Sequence, residues 1–180
     1  MSFKVCLLKK SDKDFDEKWK ATMKIKATAF EHIDKNNFGK WLETKGPKYF
    51  EEELRSFGNY KWLLILNDRT VKGFAQITEE QLEGNMKKGY VDYIATDDSE
   101  RGTGIGKQLI QYIQSKYDVI TLSSLPNVLG FYKKCGFHKK SLEGQNNLSL
   151  ESLHRSRDDT DVANHIKLEK VKLKNKSKEV

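Results

Sequence analysis

Apolar and polar positions change period several times along this 180-residue chain. "FKVCLLKK", Phe3 to Lys10, reads as a strand, and Asp12 is placed to cap the helix that follows. Phe15, Trp19, Met23, Phe30 and Ile33 recur near the helical period, which predicts an amphipathic helix over 14–33. "NNFG" breaks that pattern. Pro47 sits where a first helical turn tolerates proline, and Phe50, Leu54 and Phe57 line one face of a second helix that Gly58 and Asn59 end. "YKWLLILND" is apolar and nearly continuous, as in a buried strand, and after the turn "NDRT" the segment "VKGFAQITEE" alternates as a third. "EGNMKKG" makes another turn before a fourth strand, "YVDYIATDD". Ile105, Leu109, Ile110 and Ile113 then share one face of a helix. "VITLSSL" is a short fifth strand stopped by Pro126, and "NVLGFYKKCGF" a short helix ended by Gly136. The stretch 144–164 is polar and without period, so a long loop is expected there, with "HIKLEKVKL" returning as a last strand.

The resulting order, β-α-α-β-β-β-α-β-α-β, describes one mixed α/β domain over 1–180, with no internal repeat and no linker. The helical crossover between the fourth and fifth strands makes that pair parallel. Composition narrows the class. Hydrophobic content of 37%, aromatic content of 11% and a mean hydropathy of -0.74 fit a soluble globular protein. No apolar run approaches the ~20 residues of a membrane span. The N-terminal "MSFKVCLLKKSDKDFDE" lacks the basic, apolar, small-residue order of a secretory leader. Cys6 and Cys135 are isolated, which gives neither a zinc pattern nor a disulfide framework, and the expected setting is cytoplasmic. His32, His138, His154 and His165 form no ligand spacing, so no metal is expected.

Of the net charge of +7, the last sixteen residues carry +4 through six lysines and two glutamates. The basic tail, 174–180, reads first as a solvated end and secondarily as a weak polyanion contact.

The densest local signal is "TDDSERGTGIGKQL", Thr96 to Leu109, where three glycines precede a helix. A dinucleotide fingerprint started at Gly102 fails, because its third glycine falls on Lys107. A P-loop fails at both ends, with Arg101 for the first glycine and Gln108 for the Ser/Thr. What fits is a strand end followed by bare backbone and a helix N-terminus, which binds anions through orphan N–H groups and the helix dipole. Glycines would keep side chains out of a close approach.

"RGTGIG" resembles the R/Q-x-x-G-x-G/A signature of the GNAT N-acetyltransferase superfamily, with Arg101, Gly104 and Gly106 in the defining positions. "NVLGFYKKCGF" resembles the family's later helix, through Phe131, Tyr132, Gly136 and Phe137. The resemblance covers about three-quarters of the chain. It implies a GNAT-like fold: a central, mostly antiparallel sheet with a splayed parallel pair, strands 4 and 5, flanked by helices. It also implies acetyl-CoA as co-substrate, with the pyrophosphate on the amides of Arg101, Gly102, Thr103, Gly104, Ile105, Gly106 and Lys107. The pantetheine arm would lie along Ile94, Ala95 and Thr96 in the gap between the splayed strands. Asn127 and Phe131 would contact the cofactor, and Tyr132 would donate a proton to the departing thiolate.

Direct acetyl transfer needs a neutral amine, a stabilised oxyanion and a protonated leaving group. Backbone N–H groups near Ile94 to Thr96 would serve the oxyanion. For the base, Tyr90 falls closest to the glutamate position of related histone acetyltransferases. Asp92 lies two residues on and so on the same strand face. Asp92 is the chosen candidate, beside Glu79, Glu80 or a water chain. "EEE", Glu51 to Glu53, reads as a solvated helix face or as a contact for a cationic amine. Cys135 reads as structural. The expected function is N-acetylation of a primary amine, on a protein lysine or N-terminus or on a small amine, by a monomer or homodimer without membrane contact. The alternatives are an inactive acyl-CoA-binding regulatory module and a basic nucleic-acid-associated protein.

Overall fold

A short strand, β1 (Phe3–Leu7), opens the chain and lies antiparallel to β2 (Lys61–Asn67), with Val5 opposite Ile65. The computed structural model describes residues 2–31, 33, 35–139 and 148–153. The described residues form two compact units, one of Met1–Glu79 with Gly89–Tyr112 and one of Glu80–Lys88 with Ile113 onward.

In the first unit the strand order is β1, β2, β3 (Thr70–Gln81), β4 (Lys87–Thr96). β2 is buried along five consecutive residues, as its continuous apolar run requires. Its ladder with antiparallel β3 shifts register, so that Ile65 faces Gly73 while Leu66 faces Val71. Lys72 is the extra residue of this bulge. Helix α1 (Phe15–Phe30) buries Phe15, Trp19, Met23 and Ala27 at helical spacing. The Trp19 ring meets Trp62 edge-on at 4.9 Å, and Phe57 stacks against Trp62 at 6.1 Å. Such pairs add about 0.5–1.5 kcal/mol beyond area burial.

Several local expectations need correction. Asp12 does not cap α1: its carboxylate accepts the Lys9 N–H at 3.0 Å and closes a preceding turn. Asp14, just before the helix, reaches forward to the Lys18 ammonium at 3.0 Å. "NNFG" does not only break the helix. It passes through a 3₁₀ turn, Lys35–Asn37, into helix α2 (Phe38–Thr44). Pro47 does occupy the first turn of α3 (Gly46–Arg55), because a first-turn residue needs no N–H donor. Helix α4 (Ile105–Lys116) buries Ile105, Leu109, Ile110 and Ile113 as its period indicates.

In the second unit β5 (Val119–Ser124) pairs antiparallel with β7 (Leu148–Leu153), which pairs antiparallel with β6 (His138–Lys139). β7 falls inside the stretch expected as a long loop. Its alternating "LSLESL" is short, and its partner β5 lies some thirty residues earlier, so local pattern alone misses it. Helix α5 (Leu129–Lys134) ends at Gly136, with φ of +89°. The Gln114 amide donates to the Cys135 carbonyl at 2.7 Å, tying α4 to the end of α5. Asp118 is buried, and its carboxylate accepts the Lys87 N–H at 2.7 Å. The expected last strand from His165 and the basic tail lie outside the described residues. The chain has the expected mixed α/β fold, its strands flanked by helices.

Candidate functional site

Within the first unit β4 delivers Ile94, Ala95 and Thr96, all half-buried, to the start of a tight loop. Asp97 opens a single 3₁₀ turn, Asp98–Glu100, by accepting the Ser99 N–H at 2.9 Å. Thr103 closes the next step, donating its N–H at 3.2 Å and its hydroxyl at 2.6 Å to the Glu100 carbonyl. Gly102 and Gly104 both take left-handed φ, +77° and +83°. A side chain there costs roughly 1–2 kcal/mol. A Cβ at either position would point into open space. Glycine is therefore required by the turn itself, whatever approaches it. Gly106 has a different role, lying within the first turn of α4.

The Gln108 N–H closes the first helical bond, to the Gly104 carbonyl at 3.0 Å. The amides of Ile105, Gly106 and Lys107 precede that bond and have no acceptor inside the helix. Ile105 is fully buried, so it offers the site only its backbone. Arg101, Gly102, Thr103, Gly104 and Lys107 are exposed, and the Arg101 guanidinium pairs with Asp98 at 3.1 Å. The structure thus brings together Ile94–Thr96 and Arg101–Lys107 around a strand end and a helix N-terminus. Exposed backbone with positive dipole behind it receives an anion.

Asp92 sits two residues before Ile94 on β4, and its carboxylate accepts the Thr78 hydroxyl at 2.7 Å. Of the other base candidates, Tyr90 and Glu79 are exposed, and Glu80 faces the Lys88 ammonium at 3.7 Å. The acidic run of α3 is not a free anionic patch. Glu51 pairs with Arg55 at 2.6 Å, Glu52 lies 3.8 Å from Lys48, and Glu53 turns inward.

In the second unit α5 carries two neighbouring aromatic rings that differ in burial. Phe131 is exposed, whereas Tyr132 is 8% exposed and packs edge-on to Phe137 at 5.6 Å. Burial, with a smaller effect of Cys135, pushes the Tyr132 hydroxyl up to about 12. Asn127 is exposed in the 3₁₀ turn before α5.

Sequence reasoning missed a buried charge centre in the first unit. The Lys26 ammonium reaches both Glu53 oxygens, at 2.9 and 2.8 Å, and the Gln76 amide oxygen at 2.8 Å. It also lies 4.2 Å from the centre of the Tyr93 ring. Lys26 is three residues from Met23 and seven from Trp19, so the α1 period already placed it on the apolar stripe. Also missed was a cleft of about 280 Å³ between α1, α2 and the end of β4, bounded by Lys24, Thr28, Phe38 and Thr96–Asp98. Its walls come from segments far apart in sequence.

The model of the acetyltransferase (GNAT) domain matches residues 28–150. No curated protein matches the sequence. Among solved structures, the PaiA N-acetyltransferase of Thermoplasma acidophilum, in complex with coenzyme A, superposes with a TM-score of 0.53 at 18% identity, covering 85% of this chain and 99% of its own. Tetrahymena GCN5 gives 0.61 at 14% identity, over 88% and 99%. An aminoglycoside 6'-N-acetyltransferase complexed with coenzyme A gives 0.60 at 11%, over 87% and 99%. At these identities the likeness is one of fold.

Proposed function

Because the chain belongs to the acetyltransferase (GNAT) domain family, we propose that it moves an acetyl group from acetyl-CoA directly to a primary amine. The observation that carries this reading is the pair of left-handed glycines, Gly102 and Gly104, feeding the N-terminus of α4 at the end of β4. Open space above both glycines fits a pyrophosphate. The coenzyme A of two similar structures supports the same ligand here. Acetyl-CoA supplies the activated thioester.

This chain's residues then have separate tasks. The amides of Gly102, Gly104, Ile105, Gly106 and Lys107 hold the pyrophosphate, since those of Arg101 and Thr103 already donate to the Asp98 and Glu100 carbonyls, and the Arg101 and Lys107 cations add to the local positive potential. The backbone of Ile94–Thr96 lies along the pantetheine arm and donates to the carbonyl oxygen as negative charge develops there. Asn127 and Phe131 contact the cofactor. Asp92 takes a proton from the amine, with the Thr78 hydroxyl fixing its carboxylate. Tyr132 gives a proton to the departing sulfur.

Calorimetry tests the reading directly: acetyl-CoA binds in the micromolar range, and Gly104→Val binds far more weakly. No heat at millimolar acetyl-CoA overturns it. Thiol release across a panel of protein and small-molecule amines then identifies the acceptor. A second reading, acyl-CoA binding without turnover, is favoured by the burial of Tyr132, which makes its hydroxyl a weaker acid. Binding with no thiol release on any amine selects it.

A further inference from the structure

We propose that Lys72 and Gly73, adjacent on β3 and not themselves at the ligand surface, are positioning residues that set the cofactor loop. The inference rests on the acetyl-CoA reading above. The β2–β3 register skips Lys72, and a bulge of this kind re-aims the extra residue's side chain. The Lys72 ammonium is thereby paired with Glu100 at 2.9 Å, the two side chains being only 22% and 14% exposed. The Lys72 carbonyl accepts the Asp97 N–H at 2.8 Å. Glu100 in turn holds Thr103 through its carbonyl, by both the N–H and the hydroxyl. One bulged residue therefore anchors the loop at its entry and at its last turn before Gly104.

Gly73 acts on the strand end. A Cβ there would lie 2.9 Å from the Ala95 carbonyl oxygen, 3.1 Å from Ile65 Cγ2 and 3.2 Å from Thr96 Cγ2. The nearest of these atoms is backbone, so any side chain displaces Ala95 and Thr96. β3 thus controls two parts of one site: Lys72 the pyrophosphate loop, Gly73 the pantetheine-facing backbone.

These parts separate experimentally with acetyl-CoA and acetyl-pantetheine, a thioester lacking the pyrophosphate. Lys72→Met raises the acetyl-CoA Kd roughly 10-fold to 100-fold, the scale of a small misplacement transmitted from a distance. Its kcat/KM with acetyl-pantetheine stays at the wild-type value. Lys72→Arg restores acetyl-CoA affinity, and Glu100→Gln reproduces the loss. Gly73→Ala lowers kcat/KM with both thioesters. Amide hydrogen exchange gives a readout free of any ligand: protection over 98–104 falls in Lys72→Met, while the later turns of α4 keep theirs. Unchanged loop exchange with unchanged acetyl-CoA affinity overturns the role of Lys72, as does equal weakening of both thioesters. Wild-type acetyl-pantetheine kinetics in Gly73→Ala overturns the role of Gly73. A wild-type protein that binds no acetyl-CoA overturns the acetyltransferase reading instead, and the exchange result still judges Lys72.

Discussion

Tyr132 shows how a single buried hydroxyl limits the chemistry proposed for it. A phenol pushed up to about 12 is protonated throughout the working range, as a proton donor must be. The same shift makes transfer to a thiolate uphill, so its benefit lies at the low end of the ~10²–10⁴-fold typical of general acids, or below it. Tyr132→Phe keeps the ring packed on Phe137. It should cut kcat by roughly 10-fold while leaving the acetyl-CoA Kd unchanged. A full-rate variant assigns the tyrosine to packing. Asp92→Asn should slow the reaction most at low pH, where the amine depends on a base, and least at high pH, where the amine is already neutral. A rate–pH profile with a uniform loss removes Asp92 from that role, with Glu79→Gln and Glu80→Gln as controls. The glycines of the loop were legible in the sequence because left-handed backbone leaves a local signature. Which of Phe131 and Tyr132 is buried was not, since neighbouring rings on a helix of six residues carry no period that says which one faces inward.

Helix α1 carries the clearest lesson at the level of elements. Its apolar stripe was read correctly, yet Lys26 lies on that stripe, buried, and pairs with the half-buried Glu53. Pattern reading treats a lysine as a surface residue, whereas here α3 brings a carboxylate and β3 an amide to it. Burying such a pair costs desolvation that its attraction only partly offsets. Removing one partner is worse, because the other is left charged and unpaired. Glu53→Ala should therefore destabilise the protein by about 3–5 kcal/mol, and Lys26→Met combined with Glu53→Leu by much less, or not at all. Urea unfolding of the three proteins checks the order. Equal losses for single and double variants show that packing, not the stranded charge, dominates. The Lys72 bulge was equally hidden. "TVKGF" reads as plain alternation, and only the pairing partner reveals the extra residue.

Across the molecule, the strand and helix order as far as α5 was legible, α2 excepted, because each of those elements has its own apolar period. β7 was missed because its stability comes from β5, a partner distant in sequence. The same non-local packing gives the folded chain a measurable dependence on alkaline pH. Burial raises the hydroxyl pKa of Tyr132 to about 12 in the second unit and also raises those of Tyr49 and Tyr93 in the first, where Glu53 adds to the effect. Below pH ~10, the ordinary tyrosine value, folded and unfolded chains are both protonated and the full stability is present. Above it the unfolded chain releases protons that the folded chain retains, so unfolding becomes easier as pH rises. For Tyr132 the slope is about −1.4 kcal/mol per pH unit, and the loss is on the order of 2 kcal/mol by pH ~12. Tyr132→Phe removes that share, so its stability should fall less steeply between pH 10 and 12 than that of wild type. Chemical denaturation at several pH values in that window measures the slopes. Parallel curves would mean that Tyr132 ionises as readily in the folded protein as in the unfolded chain, and so that its hydroxyl is open to water.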